Sequence, residues 1–382
     1  MDFELSEEHK MIRETVRDFA EREIKPLAKE LDEKAEFSYE LTARMGELGL
    51  FGMCLPEKYG GQGLDVLSYI IAVEEIARID GSHAATLAAH NSLGIGPLEE
   101  YGTEEQKMKY LPQLCTGKAL WGFGLTEPNA GSDSRGTKTT AILENGQWII
   151  NGSKIFITNG SCDISIGSTV QAVTKTFENG KKEFTTIIVE RETPGFRQVP
   201  MHGKMMWRAS DTAELYFDDC RVPEENLLGK VGEGSRIMLS TLDSGRLSIA
   251  AMGLGCAQGA FELAMQYAHE RKQFGKPIVK FQVNAFKLAD MATKIELARN
   301  LLYKACWLKE NKRPYGKEAA MSKLYCSEIA REVADEAVQI HGGYGLMKDY
   351  DIERFYRDQR LLQIGEGTSE IQRLVISRHI GC

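Results

Sequence analysis

The chain has 382 residues, of which 42% are hydrophobic and 27% charged, and its formal net charge is −8. This composition is typical of a globular protein with a large buried core, and it excludes a disordered chain, a collagen-like repeat and a disulfide scaffold. No block of Lys and Arg is present, which argues against a nucleic-acid-binding surface. The eight Cys form no C-x-x-C pair and the seven His lack metal-ligand spacing, so we expect reduced thiols and no metal site.

The first residues, Met-Asp-Phe-Glu-Leu-Ser-Glu-Glu, lack the basic start and the apolar run of a signal peptide. The most apolar later stretch, residues 249–265, is interrupted by Gln258 and Glu262. The sequence therefore predicts a protein without a membrane span. We expect it in the cytoplasm, with a mature mitochondrial matrix form as the less favoured alternative.

In chain order, the first predicted elements are helices. Apolar residues recur at three- and four-residue steps over residues 12–28 and again over 70–78, with a glycine-rich loop at 56–63 between them. Almost nothing up to residue 119 has the alternation of a strand. The sequence therefore predicts a helical region over residues 1–119.

The middle of the chain changes character. Three Asn-Gly pairs, at 145–146, 151–152 and 179–180, are of the kind that tight hairpin turns prefer. They separate short β-rich runs at 139–143, 148–150, 155–158, 184–189 and 213–217. The pattern predicts a small antiparallel barrel or sandwich over residues 120–233. Helical spacing then dominates residues 234–382, so the fold class is α+β with several domains.

Five segments carry polar and glycine residues suited to a ligand site: 125–133, 151–160, 270–278, 339–345 and 365–373. Each has an ordinary structural explanation when taken alone, such as a helix cap or a strand connection. In the last segment, Glu366 stands between two glycines immediately before a helix. This carboxylate is either part of a capping motif or a base on a loop bare enough for a substrate carbon to approach.

Taken together and in this order, the five segments resemble the acyl-CoA dehydrogenase family over the whole chain. The matching motifs include Thr126-Glu127-Pro128, Arg271-Lys272, His341-Gly342-Gly343 and Glu366-Gly367-Thr368. The resemblance implies an N-terminal α-helical domain, a middle antiparallel β-barrel and a C-terminal four-helix bundle, with FAD between barrel and bundle. It also implies a homotetramer, built as a dimer of dimers, in which a neighbouring subunit completes each FAD site.

The resemblance assigns roles to individual residues. The barrel side of the flavin site would be formed by Phe123, Leu125, Thr126, Gly131, Ser132, Phe156 and Thr158. Residues that reach the FAD of a neighbouring subunit would be Arg271, Gln273, Phe274, Gln282, Gln339 and Gly343. Thr368 and Glu370 would be further flavin contacts. The substrate-binding residues would be Ser132, Asp243, Arg246, Gly365, Trp207 and Asn91.

Glu366 matches the family's catalytic base. A minority of the family carries this carboxylate just before the residue matched by Arg246, but that position here is Gly245. The implied reaction is α,β-dehydrogenation of an acyl-CoA: Glu366 takes the α-proton, the β-hydrogen passes to FAD as hydride, and the product is a 2-enoyl-CoA. An electron-transfer flavoprotein is the implied electron acceptor.

Two residues bear on the acyl group. Gly365 stands where many members carry Tyr, and Trp207 replaces a smaller residue, so we expect a short, α-branched or alicyclic acyl chain such as cyclohexanecarboxyl. The alternatives are a straight-chain butyryl-CoA dehydrogenase, a flavin monooxygenase or nitroalkane oxidase on the same fold, and an idle flavin or CoA binder. Glu366 argues against the monooxygenases, which generally lack a glutamate there.

Overall fold

The computed structural model describes residues 4–382, and their helices and strands fall into three successive regions. The first region is helical. A π-helical turn (Ala20–Ile24) joins the first two helices into one, and a second (His90–Ile95) joins the fifth and sixth. Its helices are α1 (Glu7–Phe19), α2 (Lys25–Lys34), α3 (Tyr39–Glu47), α4 (Val66–Ala77), α5 (Gly81–Ala89), α6 (Gly96–Tyr101) and α7 (Glu104–Leu114).

Helix α4 lies at the centre of this region and is buried on nearly all sides. Its start is fixed by Asp65, whose side chain accepts a hydrogen bond from the Ser68 N–H at 2.7 Å. Two buried acids on the helix, Glu74 and Glu75, are paired with arginines from other helices. The helix therefore has no solvent face, which is why its sequence lacks a polar stripe.

The second region is an eight-stranded sheet with the strand order β6-β7-β3-β2-β4-β5-β8 and with β1 against β4. Its strands are β1 (Leu120–Gly124), β2 (Thr140–Glu144), β3 (Gln147–Thr158), β4 (Ser165–Thr176), β5 (Lys182–Glu190), β6 (Phe196–Pro200), β7 (Thr212–Pro223) and β8 (Leu227–Leu228). Most neighbours are antiparallel, but β1 and β2 run parallel to β4, so the sheet is mixed. An apolar core of its own lies inside the sheet.

The Asn-Gly pairs at residues 145–146 and 151–152 differ in their local structure. Asn145 and Gly146, both at positive φ, form the two-residue turn between β2 and β3, as predicted. The prediction of a turn at residues 151–152 is wrong, because both residues lie inside β3. There the register with β7 shifts, and the Asn151 side chain exchanges two hydrogen bonds with Asp219. The pair therefore marks a bulge, since a glycine inside a strand also permits an irregular backbone.

The third region is a helical bundle. Its elements are α8 (Gly234–Glu270), the hairpin strands β9 (Lys272–Gln273) and β10 (Lys276–Pro277), α9 (Gln282–Glu310), α10 (Gly316–His341), α11 (Ile352–Leu362) and α12 (Ser369–Ile380). Among residues 4–382, α8 alone is long and apolar enough to cross a membrane by length and composition. However, 78% of its most apolar window is buried inside the protein, which is the behaviour of a core helix.

The first and third regions share one hydrophobic core. Helix α4 packs against α8 and α9, and the hydroxyls of Tyr69 and Ser248 are 2.9 Å apart across the first contact. Glu74 forms an ion pair with Arg299 of α9 at 3.0 Å. Two helical regions surrounding one core, with a β region beside them, confirm the predicted fold class.

Candidate active site

Glu366 lies in the turn between α11 and α12, and its backbone conformation is unusual. Both Glu366 (φ 52°) and Gly367 (φ 91°) have positive φ. A non-glycine residue in this conformation is uncommon, and such backbone strain concentrates at functional sites. The carboxylate points at α8: a β-carbon placed on Gly245 would lie 1.8 Å from Glu366 Oε2. The absence of a side chain at Gly245 therefore provides the space that the carboxylate occupies.

The carboxylate of Glu366 is poised to accept a proton near neutral pH. Its Oε2 atom is buried and has no hydrogen-bond partner within the described part of the chain. Burial raises the pKa of Glu366 to about 7, while the nearby cations of Lys323 and Arg246 act in the opposite direction. A buried, unpartnered carboxyl with such a pKa is typical of a general base.

Arg246 of α8 acts on this base, and Asp243 of the same helix pairs with Arg246. Arg246 is buried and donates a hydrogen bond to Asp243, one turn earlier on the same helix. Its Nε atom has no partner among residues 4–382. Burial raises the pKa of Asp243, and the guanidinium opposes that effect. The structure thus places Arg246 near Glu366 and Gly365, and Asp243 beside Arg246.

A small apolar cluster connects the base to the sheet. Phe123 and Leu125, at the end of β1, pack with Met238 of α8, and Leu93 and Leu242 contact the same cluster. Leu93 also approaches the base, because its Cδ2 atom is 3.1 Å from the position of a β-carbon on Gly245. Leu93, Met238 and Leu242 were not predicted as site residues, since nothing in their sequence context distinguishes them from ordinary core.

The loop after β1 is tied to β3. The Ile155 N–H donates to the Thr126 carbonyl at 2.9 Å. Lys154 is fully buried and donates to the Glu127 carboxylate at 2.8 Å and to the Leu125 carbonyl at 3.2 Å. These bonds place the predicted flavin residues Thr126, Phe156 and Thr158 on neighbouring backbone segments.

This loop and strand form an open wall. Phe156 has positive φ (62°) and is 63% exposed, although it is an aromatic residue within a strand. Gly131 and Ser132 are exposed, and a β-carbon on Gly131 would meet no atom within 4 Å. An exposed ring beside hydroxyl groups and open backbone fits a flat ligand such as an isoalloxazine ring. Thr368 caps the start of α12, and Glu370 is exposed on its first turn.

The remaining predicted cofactor residues lie at the far end of the bundle. All are exposed, and they are Arg271, Gln273, Phe274, Gln282, Gln339 and Gly343. The Arg271 guanidinium lies 5.6 Å from the centre of the Tyr344 ring, and Phe274 is 93% exposed on the β9–β10 hairpin. Helix α8 joins this end to the base, and at 1.5 Å per residue the distance from Arg246 to Glu270 is about 36 Å. On one chain, the predicted cofactor residues thus form two separate groups.

The side-chain amide of Asn91 bonds to backbone atoms in the structure. Its Oδ1 accepts from the Gly52 N–H at 2.7 Å, and its Nδ2 donates to the carbonyls of Leu50 and Leu87. These bonds use the side-chain amide to attach the π-helical turn to the preceding loop. Because the amide is committed to backbone atoms, we remove Asn91 from the candidate substrate contacts.

Trp207 lies in the helical core. Its indole packs against α5, where a β-carbon on Gly81 would be 2.7 Å from the indole Nε1, and its backbone N–H donates to Asp358 at 2.8 Å. It lines a small cavity with Met252 and Cys256. Met252 is two turns beyond Gly245 on α8, so the indole belongs to the shared helical core. The structure thus places Trp207 in the helical core, and its role as a substrate-binding residue stays a prediction.

The fold and site define a class of protein: a buried, unpartnered carboxylate beside an exposed ring and hydroxyl groups is typical of an enzyme that binds a flat cofactor. No cluster of three or more His, Cys, Asp or Glu suited to a metal ion occurs in residues 4–382. Three family models match successive parts of the chain. They are the acyl-CoA dehydrogenase N-terminal domain over residues 6–118, the middle domain over 122–220 and the C-terminal domain over 232–381. The chain belongs to the acyl-CoA dehydrogenase family, an oxidoreductase family.

Individual relatives agree with this assignment. The chain is 50% identical to the probable acyl-CoA dehydrogenase YngJ of Bacillus subtilis. It is 48% identical to a short-chain-specific acyl-CoA dehydrogenase of Clostridium acetobutylicum. Both matches cover 100% of each chain.

Solved structures of other proteins are also similar to this chain. Butyryl-CoA dehydrogenase from Megasphaera elsdenii matches with a TM-score of 0.96 and 44% identity, over 100% of both chains. A chain in a structure described as the electron transferring flavoprotein of Acidaminococcus fermentans matches with a TM-score of 0.96 and 47% identity, again over 100% of both chains. An acyl-CoA dehydrogenase complexed with FAD from Bacillus anthracis has a TM-score of 0.92 and 38% identity, covering 99% of this chain and 67% of that one. The last match supports FAD as the cofactor expected from the sequence.

Proposed function

We propose that this protein is an FAD-dependent dehydrogenase that converts a short-chain acyl-CoA into the 2-enoyl-CoA. The observation that carries the proposal is the buried Glu366 carboxylate, whose unpartnered Oε2 lies over Gly245. We take residues 1–119, 120–233 and 234–382 as the three domains, with the reaction occurring where the second meets the third.

Glu366 acts as the general base. It removes a proton from the α-carbon of the thioester, and the electrons of that C–H bond form the new carbon–carbon double bond as the β-hydrogen leaves. The backbone N–H of Glu366 donates to the thioester carbonyl oxygen, which stabilises the charge that develops there. The apolar cluster of Phe123, Leu125 and Met238 excludes water from one side. A dry site strengthens each electrostatic contact.

FAD, when bound, accepts the β-hydrogen together with two electrons. We propose that Thr126, Phe156 and Thr158 hold its ring, because they form the open wall next to the base. Arg271 supplies a cation for the diphosphate, since an anionic group requires charge-assisted hydrogen bonds. Ser132 and Arg246 contact the CoA portion of the substrate, with Asp243 orienting the arginine.

Each FAD site is shared between two chains in this proposal. The group around Phe274 lies about 36 Å along α8 from the base, and its residues are fully open to another molecule. A second chain that brings its own Arg271 to the first chain's wall would complete the site. We propose a homotetramer built from such dimers.

We propose an electron-transferring flavoprotein as the acceptor of the electrons. Support comes from the A. fermentans structure described above, which is named for such a protein and contains a chain with 47% identity. The location of the bacterial enzyme that we propose is the cytoplasm, in keeping with relatives from Bacillus and Clostridium.

The acyl group is proposed to be short. The relatives named for short-chain and butyryl-CoA substrates favour a straight chain. One observation favours an α-branched or alicyclic group as the second candidate: a β-carbon on Gly365 would meet nothing closer than Leu361 at 3.6 Å. A side chain at this position would thus meet only ordinary contacts, and its absence leaves more room beside the base than a tyrosine would.

The test is anaerobic titration of the FAD-loaded protein with butyryl-, isobutyryl- and cyclohexanecarboxyl-CoA, following the flavin absorbance. We expect butyryl-CoA to bleach the flavin. Isobutyryl- and cyclohexanecarboxyl-CoA should also bleach it if the space beside Gly365 accommodates their acyl groups. The variant Glu366→Gln should retain FAD and CoA-ester binding but reduce the flavin about 10²- to 10⁴-fold more slowly, as removal of a positioned base does. Bleaching at the wild-type rate by this variant would refute the assignment of the base.

A further inference from the structure

Two fully buried polar side chains converge on the turn that carries Glu366. Lys323 of α10 donates from Nζ to the Gly367 carbonyl at 2.7 Å. Gln372 of α12 donates from Nε2 to the same carbonyl at 2.9 Å and to the Glu366 carbonyl at 3.2 Å. Neither residue was predicted from the sequence, and neither has a role in the mechanism proposed above.

These hydrogen bonds stabilise the unusual backbone conformation of the turn. Glu366 and Gly367 both have positive φ, so their carbonyls leave the regular pattern of the flanking helices. A backbone conformation of this kind persists only when its surroundings hold it in place. Donors from two different helices, meeting at consecutive carbonyls, restrain both the position of the turn and its orientation.

The choice of lysine is itself informative. Burying an ammonium group is unfavourable unless a charge compensates it. The hydrogen bond that the structure gives Lys323 goes to the neutral Gly367 carbonyl. Burial lowers the pKa of Lys323 to about 8, and the Glu366 carboxylate, on the adjacent residue, opposes that shift. The cation thus bonds to the carbonyl of the residue that follows Glu366, and it acts to lower the pKa of the Glu366 carboxyl.

We propose that Lys323 and Gln372 are positioning residues, which hold the Glu366–Gly367 turn so that the carboxylate lies over Gly245, and that the Lys323 cation also favours the ionised form of the base. This inference rests on the proposed function of Glu366 as the general base. It assigns the two residues separate tasks: Gln372 restrains the backbone, whereas Lys323 both restrains it and supplies charge.

Among the groups around the base, Lys323 has the largest charge effect on Glu366, and Arg246 acts in the same direction. From α8, Arg246 faces Glu366, but it is already paired with Asp243. From α4, the Tyr69 hydroxyl is engaged with Ser248 and the Ala88 carbonyl. From α12, Glu370 is exposed and acts on Lys323 only at a distance. From the π-helical turn, Leu93 contributes only apolar contact.

The experiment measures anaerobic flavin reduction by butyryl-CoA as a function of pH in FAD-loaded variants. Lys323→Gln keeps a hydrogen-bond donor without the charge, and Gln372→Met removes a neutral donor. The matched control is Arg373→Met, which breaks another link between α12 and α10, the exposed pair with Glu328. FAD content and melting temperature are recorded for each variant, so that loss of fold is recognised separately.

We expect Lys323→Gln to move the acid limb of the pH profile upward by about one unit or more, since an adjacent cation lowers a carboxyl pKa by that order. Gln372→Met should slow reduction about tenfold or more at every pH without moving the limb. Arg373→Met should change neither quantity. An unmoved limb in FAD-replete Lys323→Gln would overturn the charge effect, and a wild-type rate in Gln372→Met would overturn the restraint.

A second measurement does not depend on turnover. Burial lowers the pKa of Lys323 to about 8, so the base is ionised and the lysine is still charged between about pH 7 and 8. In that range Lys323→Gln should lower the melting temperature more in the wild-type background than in Glu366→Gln, because only the former loses an attraction between opposite charges. Equal losses would contradict the proposal. If Glu366→Gln itself reduced the flavin normally, the proposed function would fail instead, so the two failures are distinguishable.

Discussion

At the scale of single residues, burial of Glu366 controls both its chemistry and its effect on stability. Its pKa is raised from an ordinary 4.5 to about 7 by burial. The unfolded chain therefore loses this proton at lower pH than the folded protein does. Between about pH 4.5 and 7 the unfolded state binds fewer protons, so this residue's contribution to stability falls as the pH rises, and the full penalty is present above pH 7.

The variant Glu366→Gln removes this penalty. We expect its melting temperature to equal that of the wild type near pH 4.5, to exceed it increasingly up to pH 7, and to keep a constant advantage above that. Thermal unfolding followed by circular dichroism at half-unit pH steps measures the difference. A difference that did not vary with pH would show that Glu366 titrates normally in the folded protein.

Gly365 is the residue that bears most directly on the acyl group. Because a β-carbon there meets only ordinary contacts with Leu361, Gly365→Tyr should fold and place a ring beside the base. We expect the ratio of kcat/KM for isobutyryl-CoA to that for butyryl-CoA to fall about tenfold or more, since the ring fills space that a linear chain does not need. Both substrates are measured on both proteins. An unchanged ratio would contradict the branched-chain proposal and leave a straight-chain acyl-CoA as the proposed substrate.

Among site residues, those marked by an unusual local sequence could be predicted. Glu366 stands out because glycines flank it, and Arg246 stands out only through the family resemblance. Lys323 and Gln372 could not be found in this way, because in sequence they are polar residues of ordinary helices. Asn91 and Trp207 were assigned by position along the chain, but the direction of a side chain depends on packing that the sequence does not display.

At the scale of secondary-structure elements, a buried ion pair fixes the wall of the cleft. Glu127, in the loop after β1, accepts hydrogen bonds from the Lys138 and Thr139 N–H groups and from Lys154 of β3. Both members of the ion pair are buried. Burial lowers the pKa of Lys154 to about 8, and the carboxylate opposes that shift. The pair thus binds the loop to the strand that carries Phe156.

Lys154→Met should leave the Glu127 carboxylate buried without its cation. We expect a loss of about 3 to 5 kcal/mol in unfolding free energy together with weaker retention of FAD, because the wall loses its anchor. Urea denaturation and the flavin content of the purified variant measure the two effects. The double variant Lys154→Met with Glu127→Gln should recover part of the stability, and a single variant as stable as the wild type would contradict the role of the pair.

The elements themselves were predictable to different degrees. Amphipathic helices and the 145–146 turn were predicted because their spacing repeats locally. Strand β4 was missed, since it is buried at most positions and shows no alternation. The parallel pairing of β1 with β4 could not be predicted either, because it joins segments that are distant in the sequence.

At the scale of the whole molecule, the proposed sharing of FAD sites predicts complementation. Glu366→Gln and Arg271→Ala should each be inactive as homo-oligomers. Co-expressed in one cell, they should form mixed dimers in which one site combines an intact Glu366 with an intact Arg271. Random pairing gives about one quarter of the wild-type activity. Steady-state assays of the co-purified protein test this, and activity no greater than that of the two separate variants would place the whole site on one chain.

The core shared by α4 and the bundle also has a consequence for synthesis of the protein. Partners of the first region lie far along the chain: Tyr69 meets Ser248 179 residues later, and Asp80 meets Arg354 274 residues later. Until the ribosome has translated α8 and α9, α4 therefore lacks the helices that cover much of its apolar surface. The nascent N-terminal half is therefore a state in which this surface is exposed, and a chain terminated before α8 would expose it permanently.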